Sequence, residues 1–87
     1  MQDEEKILAE IIAKLLKEIR NDTRKSLNLF CNEYSIPTTT LNDIENAKVS
    51  AKVFSIIKIL TAYNVDIVEF FQKLKENLPK DFLKPEE

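Results

Sequence analysis

The chain has 87 residues, of which 44% are hydrophobic, and its 13 basic and 15 acidic side chains leave a formal net charge of −2. This length is typical of one domain, and the hydrophobic content is too high for a disordered chain. One cysteine excludes an intramolecular disulfide and fits a reducing cytoplasm. Because histidine is absent, the commonest general base and metal ligand is missing, and we expect no enzyme activity, metal or cofactor.

The bulk charge does not indicate a nucleic-acid partner, since such domains are usually basic. Any partner of that class must be inferred from the pattern of residues. Residues 1–6 are polar and acidic, which is unlike the start of an export signal. No apolar run approaches the roughly 20 residues that cross a bilayer. We therefore expect a cytoplasmic protein without a membrane partner.

Five helices are predicted, and the apolar periodicity is clearest in the first, over residues 4–20. The second helix, over residues 27–34, follows Ser26, whose hydroxyl is suited to cap a helix N-terminus. The third, over residues 37–46, begins at Pro37, which suits a first helical turn and disfavours helix in the residue before it.

The remaining two helices are predicted over residues 51–62 and 67–77, with Ser50 and Asp66 as their N-caps and Pro79 after the last. The side chains expected to face the core from these two helices are Val53, Ile56, Ile57, Leu60, Ile67, Phe70, Phe71 and Leu74. The absence of glycine also favours helices over tight hairpins. The pattern predicts one all-α domain over residues 1–79 and a polar C-terminal tail over residues 80–87.

Four segments stand in a characteristic order between Leu16 and Phe71. They are LKEIR at 16–20, SLNLFC at 26–31, IPTTTLNDIENAK at 36–48 and the apolar stretch at 54–71. In this order they resemble the Xre family of helix-turn-helix regulators, the family of the lambdoid phage repressors. The resemblance implies a five-helix lambda-repressor-like DNA-binding domain with an extended first helix and a helix-turn-helix at about residues 27–46.

The chain departs from the family at several positions. Where family members carry glycine, it has Ser35, Ala47 and Asn64, and where they carry glutamine at the start of the second helix it has Leu27. A left-handed conformation costs alanine on the order of 1 kcal/mol, so we expect a somewhat altered turn. The recognition helix also has no basic residue before Lys48.

The resemblance implies a set of DNA contacts and a structural pair. Short polar side chains on the outer face of the third helix are the right size to approach base edges. The alternative is that this face of the helix is exposed to solvent and binds nothing. The candidates for base contact are Thr38, Thr39, Asn42 and Asp43. The candidates for phosphate contact are Ser26, Asn46, Lys48, Arg24, Lys25 and Lys52. The alternative is that these residues are scattered surface groups with no role in DNA binding.

Arg20 and Glu45 match a family pair that joins the first helix to the recognition helix. The alternative is two unrelated surface charges, which contribute little. Cys31 takes a slot for a small residue where helices approach closely, so it is interpreted as a core residue.

The first helix carries an apolar stripe wider than one packing contact uses. We therefore expect a homodimer, and the candidate contact residues are Leu8, Ile11, Ile12 and Leu15. The alternative is that the stripe packs on Leu78, Phe82 and Leu83 of the same chain.

Together these patterns predict a sequence-specific regulator of transcription that binds double-stranded DNA as a dimer and acts as a repressor. A phage or plasmid repressor, or an antitoxin that represses its own operon, fits this description. The alternative is a protein-interaction module or antitoxin on the same scaffold, with weak or lost DNA binding. Leu27 and Leu29 would then belong to the surface that binds a protein partner.

Overall fold

The computed structural model describes residues 3–82, which form five α-helices and no strand. The helices are α1 (Asp3–Thr23), α2 (Leu27–Tyr34), α3 (Thr38–Glu45), α4 (Val53–Tyr63) and α5 (Ile67–Asn77). The predicted all-α fold is therefore confirmed. Lys80, Asp81 and Phe82 form a turn after α5, and the rest of the predicted tail, residues 83–87, lies outside the described residues.

Helix α1 is the central packing element, since α3, α4 and α5 all contact it. Its buried residues follow helical spacing and are Ala9, Ile12, Ala13, Leu15 and Leu16. Asp3 and its two acidic neighbours occupy the first turn, where the helix dipole favours negative charge. The helix runs three residues past its predicted end, and Asn21, Asp22 and Thr23 are exposed there.

Local side-chain bonds explain where α2 and α5 begin. The Ser26 hydroxyl accepts a hydrogen bond from the Leu29 amide at 3.1 Å, and the Asp66 carboxylate accepts one from the Val68 amide at 2.7 Å. Both predicted N-caps are confirmed. The prediction that Ser50 caps α4 is wrong, because α4 begins at Val53 after an extended residue that makes no side-chain cap.

The core is formed by every helix of the described chain. Its residues are Ile12, Leu15, Leu16, Phe30, Cys31, Ile36, Leu41, Ile44, Ile56, Ile59, Leu60, Phe70 and Leu74. The inward positions predicted for Val53, Ile57, Ile67 and Phe71 are wrong, since all four are exposed. The reason is the rotation of each helix. The buried residues of α4 are Ile56, Ile59 and Leu60, which leaves Val53 and Ile57 outside. The buried residues of α5 are Phe70 and Leu74, which leaves Ile67 and Phe71 outside.

Three helices end in the same way although the chain has no glycine. Ser35, Ala47 and Asn64 follow α2, α3 and α4 with φ angles of 55°, 54° and 59°, in the left-handed region. After each of them, the next amide donates to a carbonyl five residues back, as in Ile36 to Cys31 at 3.0 Å. These bonds satisfy carbonyls that the helix end leaves open. The left-handed conformation is thus kept at all three positions without glycine.

The length and polarity of the helices determine whether any of them could span a membrane. Within residues 3–82, no helix combines the length and the apolar character that crossing a bilayer requires.

Candidate nucleic-acid interface

Helices α2 and α3 pack on each other and are joined by a link of three residues, 35–37. Ile36 in this link is buried with Phe30 and Cys31 of α2 and with Leu41 of α3. The fifth apolar residue of this contact is Ile44, which is also buried. We call residues 27–45 the α2–α3 unit. Its buried link and short helices hold α3 in a defined orientation.

A bidentate ion pair joins the end of α3 to α1. Arg20 donates from Nε and Nη2 to the two carboxylate oxygens of Glu45, at 2.8 and 3.0 Å. Its Nη1 donates to the backbone carbonyl of Lys25 at 3.1 Å. The Glu45 side chain is only 2% exposed and that of Arg20 16%. The hydrogen bond to Glu45 raises the pKa of Arg20, although burial opposes this. The contact predicted between these residues is present.

Tyr63, which no sequence pattern singles out, lies next to this ion pair. Its ring stacks on Phe30 with centroids 4.1 Å apart and planes at 16°. Burial raises the pKa of the Tyr63 hydroxyl, and the charge of Glu45 raises it further. No residue of the described chain forms a hydrogen bond with this buried hydroxyl. Only the stacking of α4 on α2 reveals this residue, since nothing in its local sequence distinguishes it.

Cys31 is buried in the core, as its small size suggested. Burial raises the pKa of its thiol, and a hydrogen bond with Thr38 acts in the opposite direction. A neutral, enclosed thiol is a poor nucleophile and fits a packing role.

The four candidates for base contact differ in accessibility. Thr38 and Thr39 lie exposed in the first turn of α3, whereas Asn42 and Asp43 are half-buried. The Asn42 side-chain oxygen also accepts a hydrogen bond from Asn46 Nδ2 at 3.0 Å. The two threonines are therefore the most exposed side chains of α3, and of the two only Thr38 has its hydroxyl engaged, with Cys31.

The candidates for phosphate contact divide into free and engaged groups. Arg24, Lys48 and Lys52 are exposed, and none of them has an ion pair within residues 3–82. The ammonium of Lys25 instead pairs with Glu33, and it lies 5.3 Å from the centre of the Tyr34 ring.

Ser26 and Asn46 are also engaged. The Ser26 hydroxyl caps α2, and Asn46 Nδ2 donates to the Asn42 backbone carbonyl at 2.8 Å. Their amide or hydroxyl groups would have to rearrange or share these bonds to contact a phosphate. The unpaired positive charge near the α2–α3 unit therefore comes from Arg24, Lys48 and Lys52 among the candidates.

The candidate dimer contacts on α1 are mostly covered within one chain. Ile12 and Leu15 are 5% and 7% exposed, and Leu8 and Ile11 are half-buried against the core. The prediction that this stripe has an uncovered edge is thus wrong for Ile12 and Leu15, because the helices packed on α1 cover it. Leu78 also packs against this core, in line with the alternative of intrachain cover; Leu83 lies outside the described residues.

Apart from Ile7 of α1, the large apolar residues that are exposed lie on other parts of the described chain. Leu27 is half-buried against the core, but Leu29 and Tyr34 of α2 are exposed. Phe54 of α4 is 72% exposed, and with Tyr34 and Ile57 it lines a shallow groove.

A scan against models of protein families and searches of curated proteins and of solved structures find no match to this chain. The chemistry and geometry of the α2–α3 unit are therefore the guide to its role. Two features define this unit: two exposed threonines at the start of α3, and a buried ion pair that anchors the other end of α3 to α1.

Proposed function

We propose that the chain is a small, repressor-like regulator that binds double-stranded DNA, with α3 in the major groove. The observation that carries the proposal is the placement of α3 in the α2–α3 unit: Arg20 and Glu45 anchor its C-terminal end, while Thr38 and Thr39 are exposed at its N-terminal end. Recognition helices of this kind contact base edges with their N-terminal residues. The resemblance of residues 16–71 to the Xre family supports the same assignment.

The chemistry of the first turn of α3 suits base recognition. A threonine hydroxyl donates or accepts a hydrogen bond, and its methyl group packs against the thymine methyl. Because both side chains are short, the backbone of α3 must approach the groove floor closely. The positive end of the α3 dipole lies at the same end of the helix and favours nearby phosphate.

Three cations flank this helix and account for the backbone contacts of the proposal. Arg24 follows α1, while Lys48 and Lys52 lie between α3 and α4. Each phosphate contact changes the slope of log affinity against log salt by about 0.9, so three contacts predict a slope of about −3 per chain. With a net charge of −2, the chain should bind non-specific DNA weakly.

We further propose that the regulator acts in the cytoplasm as a homodimer, since two-fold pairs place two recognition helices about one DNA turn apart. The exposed Phe54 on α4 and Val68 on α5 offer contact surfaces that Ile12 and Leu15 do not. Sedimentation of the wild type at tens of micromolar tests the dimer, and the variants Phe54→Glu and Val68→Glu locate its surface. A wild-type monomer would remove the dimer from the proposal.

The decisive experiment selects bound sequences from a random duplex pool and then measures affinity against salt by fluorescence anisotropy. Lys48→Ala should weaken binding to all duplexes alike and reduce the salt slope by about 1. Thr39→Ala should instead change which sequence is preferred. The matched controls are Lys75→Ala on α5 and Thr61→Ala on α4, both exposed and outside the α2–α3 unit, and they should leave binding unchanged.

One observation favours a second candidate, a protein-interaction module. The groove beside Phe54 exposes aromatic and aliphatic side chains, as surfaces that bind proteins do. A wild-type chain that shows no salt-dependent affinity for any duplex at low ionic strength would favour this candidate over the regulator. Equal losses on every duplex from Thr39→Ala and Lys48→Ala would count against base recognition by the threonine.

A further inference from the structure

Two asparagines lie one helical turn apart at the C-terminal end of α3. Asn42 is on the same side of α3 as Thr38 and Thr39, because residues three and four apart share a face of a helix. Asn46 is the exposed C-cap of α3. The two side chains contact each other, with Asn46 Nδ2 at 3.0 Å from Asn42 Oδ1. A DNA contact by either residue therefore involves the other.

The backbone determines which end of each amide faces its neighbour. Asn46 Nδ2 also donates to the backbone carbonyl of Asn42 at 2.8 Å, and the Asn46 backbone amide donates to the same carbonyl at 3.0 Å. A carbonyl oxygen only accepts hydrogen bonds, so the nitrogen of the Asn46 side chain must face it. The same nitrogen donates to the side-chain oxygen of Asn42. Asn46 thus sets the orientation of the Asn42 amide.

Asn46 has no donor left for a phosphate group. An amide nitrogen carries two hydrogens, and the two oxygens of Asn42 accept hydrogen bonds from this nitrogen. The other polar atom of the side chain, Asn46 Oδ1, is an acceptor like the phosphate oxygens themselves. A phosphate contact by the Asn46 side chain would therefore break its contact with Asn42.

Asn42, in contrast, keeps a free donor. Its Nδ2 forms no hydrogen bond within residues 3–82. Among the buried and half-buried side chains of these residues, the Tyr63 hydroxyl is the only enclosed polar group without a partner. Because Asn42 is half-buried, its unpaired Nδ2 must be open to solvent. The Asn42 side chain therefore offers a donor, while Asn46 holds its acceptor.

We propose that Asn42 selects a base by donating from Nδ2 to an acceptor in the major groove, and that Asn46 is its positioning residue. The inference rests on the proposed function, the binding of duplex DNA by α3. A free asparagine pairs with adenine through both its oxygen and its nitrogen, whereas guanine presents two acceptors, O6 and N7. Because Asn46 holds the oxygen of Asn42, the free nitrogen selects guanine over adenine.

The test starts from the duplex that the wild type selects and measures affinity by fluorescence anisotropy at fixed salt. Asn42→Ala should reduce the preference at one base pair and so identify it. At that position the wild type should bind guanine about fivefold more tightly than adenine, the effect of one hydrogen bond. Asn46→Ala should shift this preference toward adenine without changing the affinity for non-specific duplex. Added to Asn42→Ala, it should change the preference no further, because Asn46 acts through Asn42.

A matched control and a measurement without DNA complete the test. Asn77 Nδ2 makes the same kind of bond to the backbone carbonyl of Lys73 at the end of α5, outside the α2–α3 unit. Asn77→Ala should therefore leave the base preference unchanged. Three-bond NMR couplings in the free protein should show one χ1 rotamer for Asn42 in the wild type and rotamer averaging in Asn46→Ala.

Four results would overturn the proposal. Equal losses on every duplex from Asn46→Ala would indicate a phosphate contact, and additive effects of the two changes would mean that Asn46 does not act through Asn42. A wild-type preference for adenine, or averaging of the Asn42 rotamer in the wild type, would also contradict it. None of these four removes DNA binding by the wild type, so the proposed function would stand. A wild type without affinity for any duplex would overturn both.

Discussion

The buried ion pair between Arg20 and Glu45 gives the sharpest prediction about how α3 is held. The Glu45 carboxylate is 2% exposed in the wild type, and Arg20→Ala removes both of its hydrogen bonds to the guanidinium. Removing one partner of a buried pair costs about 3–5 kcal/mol. Small domains have a total free energy of unfolding of about 5–15 kcal/mol. We therefore expect Arg20→Ala to remove a large fraction of the stability of this chain.

The measurement is thermal and urea unfolding followed by circular dichroism. In a domain of this size each 1 kcal/mol lowers Tm by about 4–8 °C, so a loss of 3 kcal/mol predicts a fall of about 12 °C or more. The double variant Arg20→Ala with Glu45→Ala completes a cycle, and its coupling energy should reach about 1–3 kcal/mol. Glu33→Gln is the control, because it removes the charge of an exposed pair with Lys25 and should leave Tm close to wild type.

Two outcomes would refute this reasoning. A loss below about 1 kcal/mol in Arg20→Ala would mean that water or other groups replace the guanidinium without cost. A coupling energy within about 0.5 kcal/mol of zero would mean that the two residues act independently. In either case the ion pair would not be what holds α3 to α1.

Three further predictions concern stability. Ala47→Gly should raise the free energy of unfolding by about 1 kcal/mol, because Ala47 has a φ of 54° in the left-handed region. Ala62→Gly inside α4 should lower the free energy of unfolding by about as much. If urea unfolding shows that both variants change the stability in the same direction, the prediction is wrong. Tyr63→Phe should raise the free energy of unfolding by about 1 kcal/mol, because it removes a buried hydroxyl that has no partner within residues 3–82. Tyr34→Phe, at an exposed position, should change the free energy of unfolding little. Burial raises the pKa of Cys31 and of Tyr63 in the folded chain, so the unfolded chain loses these protons at a lower pH than the folded chain does. The free energy of unfolding should therefore be highest below about pH 8.5 and should fall as the pH rises above about 8.5. A flat profile up to pH 10 would refute the last prediction, and Tyr63→Phe should reduce the fall at its alkaline end.

Features with local causes could be read from the sequence alone. The starts of α2 and α5 are predicted correctly because Ser26 and Asp66 cap them through bonds to amides two or three residues away. The all-α class follows from apolar spacing and from a composition without glycine. The family resemblance also located Arg20 and Glu45 as a pair, although they lie 25 residues apart.

Features that depend on how the helices pack could not be read in this way. Periodicity offered more apolar positions on α4 and α5 than one core covers, and only the packing on α1 selected Ile56 and Phe70 over Val53 and Phe71. The same packing covered Ile12 and Leu15, which the width of the stripe had suggested for a dimer. Helical spacing determines which side chains share a face, but the rotation of each helix against its neighbours determines which face is buried, and that rotation is a property of the assembled core.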